Sequence, residues 1–162
     1  MSAADEDLAT IEAVYRERFA GLVRVAHAIT GDEQAALDAV HDGFVRAVRY
    51  RRGLRRSDSA AGWICRIVVN EARRSRQAAA RRPVLADAPE AHAVGEDDDG
   101  GLVRAALSTL PERQRLALFY RYYADLDYAG IAEALGIARG TVSATLHAAH
   151  ANLHSQLEEV HR

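Results

Sequence analysis

Along most of this chain apolar residues recur at steps of three and four, and over no useful length do they alternate with period two. That spacing gathers them on one face of an α-helix, so the chain is confined to helix-on-helix packing. Ile11, Val14, Tyr15, Phe19, Leu22, Ala26 and Ile29 form a first stripe, ended by the turn Thr30-Gly31-Asp32. Ala36, Ala39, Val40, Phe44, Val45 and Val48 form a second, with Asp32 as its cap and Gly53 as its limit. The cap signal Ser57-Asp58-Ser59 precedes a third, with Trp63, Ile64, Ile67 and Val68. This half is expected to fold as three or four helices in one small bundle.

Periodicity stops between Pro83 and Gly101, where two Pro, three Gly, four Asp and two Glu leave little to bury. Helical spacing then resumes at Leu102, Val103, Ala106 and Leu107, breaks at Thr109-Leu110-Pro111-Glu112, and continues through Leu116, Leu118, Phe119, Tyr122 and Tyr123. After the corner Ala124 to Asp127 comes a short helical pattern from Tyr128 to Leu135. The turn Gly136-Ile137-Ala138 follows, and then a longer helix from Arg139 carrying Val142, Leu146, Ala149 and Leu153. Two helices joined by a three-residue turn that starts with Gly are the signature of a helix-turn-helix. The expected architecture is all-α: a helical bundle over 8–82, a flexible acidic linker over 83–101, and a helix-turn-helix domain over 102–160.

The net charge of -2 conceals a strong segregation. Residues 1–45 carry a net -6, and residues 46–82 set twelve Arg against Asp58 and Glu71 for a net +10. Residues 83–101 return to -6, and the remainder is neutral. A block at +10 is a local address for a polyanion, flanked by acidic segments suited to basic surfaces. The single cysteine, Cys65, excludes an intrachain disulfide framework and a multi-cysteine metal site, and suits a reducing compartment. It falls inside the Trp63–Ile67 apolar face, where an inert buried thiol is expected, with Trp63 itself in the core.

No basic-then-apolar segment opens the chain. The longest run without formal charge, Gly140 to Leu157, holds His147, His150 and His154 where a membrane span needs continuous apolar residues. A cytoplasmic protein with no membrane segment of its own is expected. The three histidines share one helical face, but they read as weak cations and no metal site is expected. There is no nucleophile–base pairing, phosphate-cradling Gly loop or clustered carboxylate pair, so neither catalysis nor a cofactor is expected.

Four motifs carry a resemblance. Thr30-Gly31-Asp32 followed by Ala36-Leu37-Asp38-Ala39-Val40-His41-Asp42-Gly43-Phe44 is the first, and Trp63-Ile64 with Ile67, Asn70 and an Arg-rich tail is the second. Leu110-Pro111-Glu112-Arg113-Gln114-Arg115 and Gly136-Ile137 with Gly140-Thr141-Val142 are the third and fourth. In this order, divided by a linker, they resemble the extracytoplasmic-function (ECF) sigma factors, small bacterial subunits that direct RNA polymerase to promoters. The likeness spans residues 10–157. The chain departs from the family at Ser143, Thr145, Ala148 and His150, where relatives are often basic, and at Gly130, where Glu is usual.

The resemblance implies a division of labour. Asp38, His41, Asp42 and Phe44 would dock on the polymerase core, the first three falling on one helical face. Tyr50, Arg51, Arg52, Arg55, Arg56, Arg66, Asn70, Arg73 and Arg74 would open and hold the minus-ten element. Arg neutralises phosphates and stacks on unstacked bases, which a melted strand provides. Arg139, Thr141, Ser143, Thr145 and His147 would meet the minus-thirty-five duplex at the start of the recognition helix. Glu96, Asp97, Asp98 and Asp99 would lie toward the RNA path. The implied partners are bacterial RNA polymerase core, promoter DNA and an anti-sigma factor. The competing readings are a two-domain DNA-binding regulator or an anti-sigma-interacting module, each without promoter opening.

Overall fold

The computed structural model describes residues 1–82 and 98–162, and among them there are helices and no strands. The elements are α1 (Ala3–Thr30), α2 (Glu33–Arg49), a 3-10 turn (Arg51–Arg56), α3 (Ala60–Arg81), α4 (Asp98–Thr109), α5 (Glu112–Tyr122), α6 (Tyr128–Leu135) and α7 (Arg139–Val160). Of the stretch read as a linker, residues 83–97 lie outside the described residues, and its last four residues open α4.

Several boundaries have a local chemical cause. Ser2 and Asp5 close a capping box at the start of α1, and Gly31 ends that helix at φ 71°. Asp32 accepts from the Ala35 N–H at 2.7 Å and starts α2. Ser59 accepts from Gly62 at 3.1 Å for α3, and Asp127 accepts from Gly130 at 2.8 Å for α6. Gly136, at φ 67°, ends α6 and makes the turn of the helix-turn-helix.

Helices α1, α2 and α3 pack against one another as the N-terminal bundle, while α4, α5 and α6 gather around α7. Helices α2 and α3 approach closely at Gly43. A side chain at Gly43 would meet Val68 Cγ2 at 2.6 Å and its Cα at 3.0 Å. Small residues therefore carry much of the buried face of α2: Ala36, Ala39, Gly43 and Ala47 are buried with Val40 and Phe44. The expected stripe is corrected here, since Val45 is 68% exposed and Val48 is also exposed. Both sit one step round the helix from the buried small and aromatic residues.

The two halves share one continuous apolar core, in which Ile64, Cys65 and Val68 of α3 belong with Tyr120, Leu126 and Ile131 of the C-terminal half. They dock through α3 on α6 and through α1 on the α5–α6 corner. Two glycines form notches for this contact. A Cβ at Gly62 would overlap the Gly130 carbonyl oxygen and stand 2.9 Å from Gly130 Cα, and one at Gly21 would overlap the Tyr123 carbonyl oxygen. Beside the second notch, Arg18 Nη1 donates to the carbonyls of Ala124 (3.0 Å) and Asp125 (2.6 Å). Those bonds hold a corner in which Asp125 has φ 52°, a left-handed conformation that few non-glycine residues adopt.

Candidate nucleic-acid interface

Arg46 and Arg49 close α2, and the chain then turns sharply through Arg51, Arg52, Gly53, Leu54, Arg55 and Arg56. The turn is anchored from inside. Leu54 is buried as a plug, and Gly53 lies against Trp63, with a Cβ there only 3.3 Å from the indole ring. Trp63, expected in the core, is partly buried beneath the turn and packs against the core's edge. Tyr50 is 55% exposed, with the Arg49 guanidinium 5.8 Å from its ring centroid. Arg52 and Arg56 project outward, while Arg51 donates to the Val48 carbonyl at 3.1 Å. Arg55 is held by Asp7 of α1, whose Oδ2 accepts from Nε at 3.1 Å and forms an ion pair with Nη2 at 3.1 Å. That carboxylate had no signal in the sequence.

The α3 residues assigned to the same task do not all join this cluster. Arg74 donates to Glu71 at 2.9 Å, and Glu71 also takes Arg46, so one carboxylate ties α2 to α3. Asn70 is exposed. Arg73 and Arg66 face the C-terminal half. Arg73 pairs with Glu112 at 2.6 Å, and Arg66 lines an interdomain cleft with Asp58, Glu133, Gly136 and Arg139.

On α2, Asp38, His41 and Asp42 are exposed, with Asp38 accepting from Gln34 at 2.9 Å and the His41 ring beside Phe19. Phe44 is corrected: it is buried, edge-on to Tyr15 with centroids 4.7 Å apart, so it supports the face from beneath. Val45 and Val48 take its place outside, extending the acidic face by an apolar one.

At the start of α7, Arg139, Thr141, Ser143 and His147 are exposed. Thr145 is corrected in turn: it is buried, and its hydroxyl donates to the Thr141 carbonyl at 2.9 Å. His150 meets the Tyr122 hydroxyl at 2.9 Å, and His154 meets Glu158 at 3.1 Å. Among the described residues no three His, Cys, Asp or Glu side chains converge as metal ligands would.

Burial sets the chemistry of the interior. Cys65 is fully enclosed, which pushes its thiol up to about 12 and makes it a poor nucleophile. Burial likewise raises Tyr120 far above its usual range, and the neighbouring Cys65 adds to that. At the surface Asp5 is lowered, first by its bond from Ser2 and also by nearby Arg51.

The structure joins a helical bundle with a basic turn to a helix-turn-helix. Residues 14–82 match Sigma-70 region 2, and residues 101–153 match Sigma-70 region 4. The ECF RNA polymerase sigma factor SigL of Mycobacterium tuberculosis is 31% identical, over 98% of this chain and 94% of that protein. The RNA polymerase sigma-E factor of Streptomyces antibioticus is 26% identical over 96% and 88%. Among solved structures, CnrH in complex with the cytosolic domain of CnrY has a TM-score of 0.69 at 20% identity, covering 97% of this chain and 93% of that one. The Bartonella quintana sigma factor RpoE, in complex with the anti-sigma factor NepR, has 0.57 at 20% identity, over 95% of each chain. The fold likeness and the sequence kinship with SigL both cover the two halves of the chain. With both regions matched in order, this chain belongs to the ECF RNA polymerase sigma factors.

Proposed function

We propose that three surfaces divide the work of this sigma factor. The outer face of α2, with Asp38, His41, Asp42, Val45 and Val48, docks on the RNA polymerase core. Its acids steer toward a basic partner while the two valines supply the desolvated centre that binding energy needs. The 3-10 turn, with Tyr50, Arg51, Arg52, Arg55 and Arg56, receives the melted minus-ten strand. The exposed start of α7, with Arg139, Thr141, Ser143 and His147, meets the minus-thirty-five duplex through helix N–H groups and hydroxyls.

One observation carries this reading: a single helix presents an acidic and apolar face along its length and an arginine cluster at its end. That polarity suits a subunit lying between a protein and a polyanion. Arg66 and Arg73 contribute to strand binding once the halves part, because both face the C-terminal half here. The protein acts through binding alone, with no catalytic step of its own, in the cytoplasm. Among the described residues no helix is long and apolar enough to cross a membrane. An anti-sigma factor is the expected regulatory partner, by kinship with sigma factors whose structures hold one.

Run-off transcription with purified core polymerase tests the whole reading, and a ternary complex with a single-stranded minus-ten oligonucleotide tests promoter opening. Duplex binding that needs no core polymerase, without a ternary complex on the single strand, would favour a plain DNA-binding regulator.

A further inference from the structure

Asp7 occupies a place in α1 where the helical pattern calls for an apolar residue. It lies four residues before Ile11 and seven before Val14, on the buried stripe, and its side chain is only 11% exposed. A carboxylate taken out of water is costly unless it is paired, and an apolar residue there would serve packing at least as well. What a carboxylate adds is direction. Oδ2 accepts a hydrogen bond from Arg55 Nε at 3.1 Å and has Nη2, on the same edge of the planar group, in ion-pair contact at 3.1 Å. The guanidinium is thereby oriented and its charge compensated on that edge. The Arg55 side chain nonetheless remains 48% exposed. Leu54 and Gly53 hold the backbone of the same turn, so every anchor on Arg55 comes from within the bundle.

We propose that Asp7 is a positioning residue for promoter selectivity: it holds the Arg55 guanidinium as an oriented, charge-compensated plane for an unstacked base and keeps it from phosphates. This rests on the reading that the 3-10 turn receives the minus-ten strand. Arg52 and Arg56, which project freely, supply phosphate attraction regardless of sequence, whereas Arg55 supplies choice. The two roles are separable because a free arginine follows the backbone, and a tethered one meets only what is brought to it.

The test uses holoenzyme made from core polymerase and the full chain. Its probes are a single-stranded oligonucleotide selected by wild-type holoenzyme from a random pool, and a scrambled strand of equal length. In Asp7→Asn the released Arg55 should add a phosphate contact, steepening the log–log salt dependence on the scrambled strand by about 0.7. At the same time the preference for the selected strand should fall about tenfold, the loss of one oriented contact to a base. Arg55→Gln should lose the same preference without the steeper slope, and combining it with Asp7→Asn should cost nothing further. Asp7→Leu, which fills the buried site, should behave as Asp7→Asn. An unchanged preference and slope would overturn the proposal. So would equal losses on both strands accompanied by a lower melting temperature, which would make Asp7 a structural residue only. If Arg52→Gln with Arg56→Gln leaves strand binding intact, the turn is not the strand site and the underlying reading fails together with the proposal.

Discussion

Replacing Gly62 with Ala tests how the two halves are held. The added methyl would lie 2.9 Å from both Glu133 Cβ and Gly130 Cα and overlap the Gly130 carbonyl oxygen. Two of those three atoms belong to backbone, so α3 and α6 must move apart by about 1 Å for ordinary contact to return. Overpacking of this kind costs about 1–3 kcal/mol. The helix itself gains from the change, by at most about 0.5–1 kcal/mol, because Ala gives up less backbone entropy than Gly. The two effects act on different equilibria. The gain strengthens the folded N-terminal bundle, while the clash weakens only its docking on the C-terminal half. The docked population should fall about 5- to 150-fold relative to the undocked one, at 1.4 kcal/mol per factor of ten. Cys65 reports this directly, since it is the chain's one cysteine, is enclosed, and influences Tyr120 of α5. Labelling by a disulfide reagent should accelerate by the same factor in Gly62→Ala, with the thermal midpoint of the N-terminal bundle maintained or raised. Gly140→Ala, at a position with nothing within 4 Å, should leave labelling unchanged. A wild-type labelling rate in Gly62→Ala would refute the claim that this notch holds the halves together.

Three further outcomes follow from the same geometry. Because burial raises the Cys65 thiol from 9.0 to about 12, its contribution to stability is complete below pH 9 and is lost as pH rises from there toward 12. Denaturant unfolding should show the stability difference between wild type and Cys65→Ala shrinking by up to about 1.4 kcal/mol per pH unit in that window; a constant difference would contradict it. Val45→Asp on the outer face of α2 should lower affinity for core polymerase at least about tenfold in a competition assay. Its unfolding free energy should stay within about 0.5 kcal/mol of wild type, as expected for an exposed position. His147→Arg adds a permanent cation one turn beyond Ser143 on α7, and should steepen the salt dependence of minus-thirty-five duplex binding by about 0.9; an unchanged slope would remove His147 from that surface.

The helices and several of their ends were legible because their causes are local, although the starts of α1 and α4 were not. Asp32, Ser59 and Asp127 each cap an amide three residues away, and Gly31 and Gly136 each end a helix by a conformation glycine adopts freely. The four family motifs are local for the same reason, so the sequence alone determined an all-helical chain, its helix-turn-helix and its kinship. Faces were less legible. Counting large apolar residues put Val45 and Val48 in the core, but α3 approaches α2 so closely at Gly43 that small residues line the contact, and the valines are turned out. Thr145 looked like a DNA reader until its hydroxyl found a carbonyl one turn back. Only the tertiary structure decided that Asp7 holds Arg55 across 48 residues, and that Gly21 and Gly62 are notches for the carbonyls of Tyr123 and Gly130. A cap finds its partner within one turn of the chain. A buried carboxylate or a notch has meaning only when a distant element arrives, and no local pattern carries that arrival.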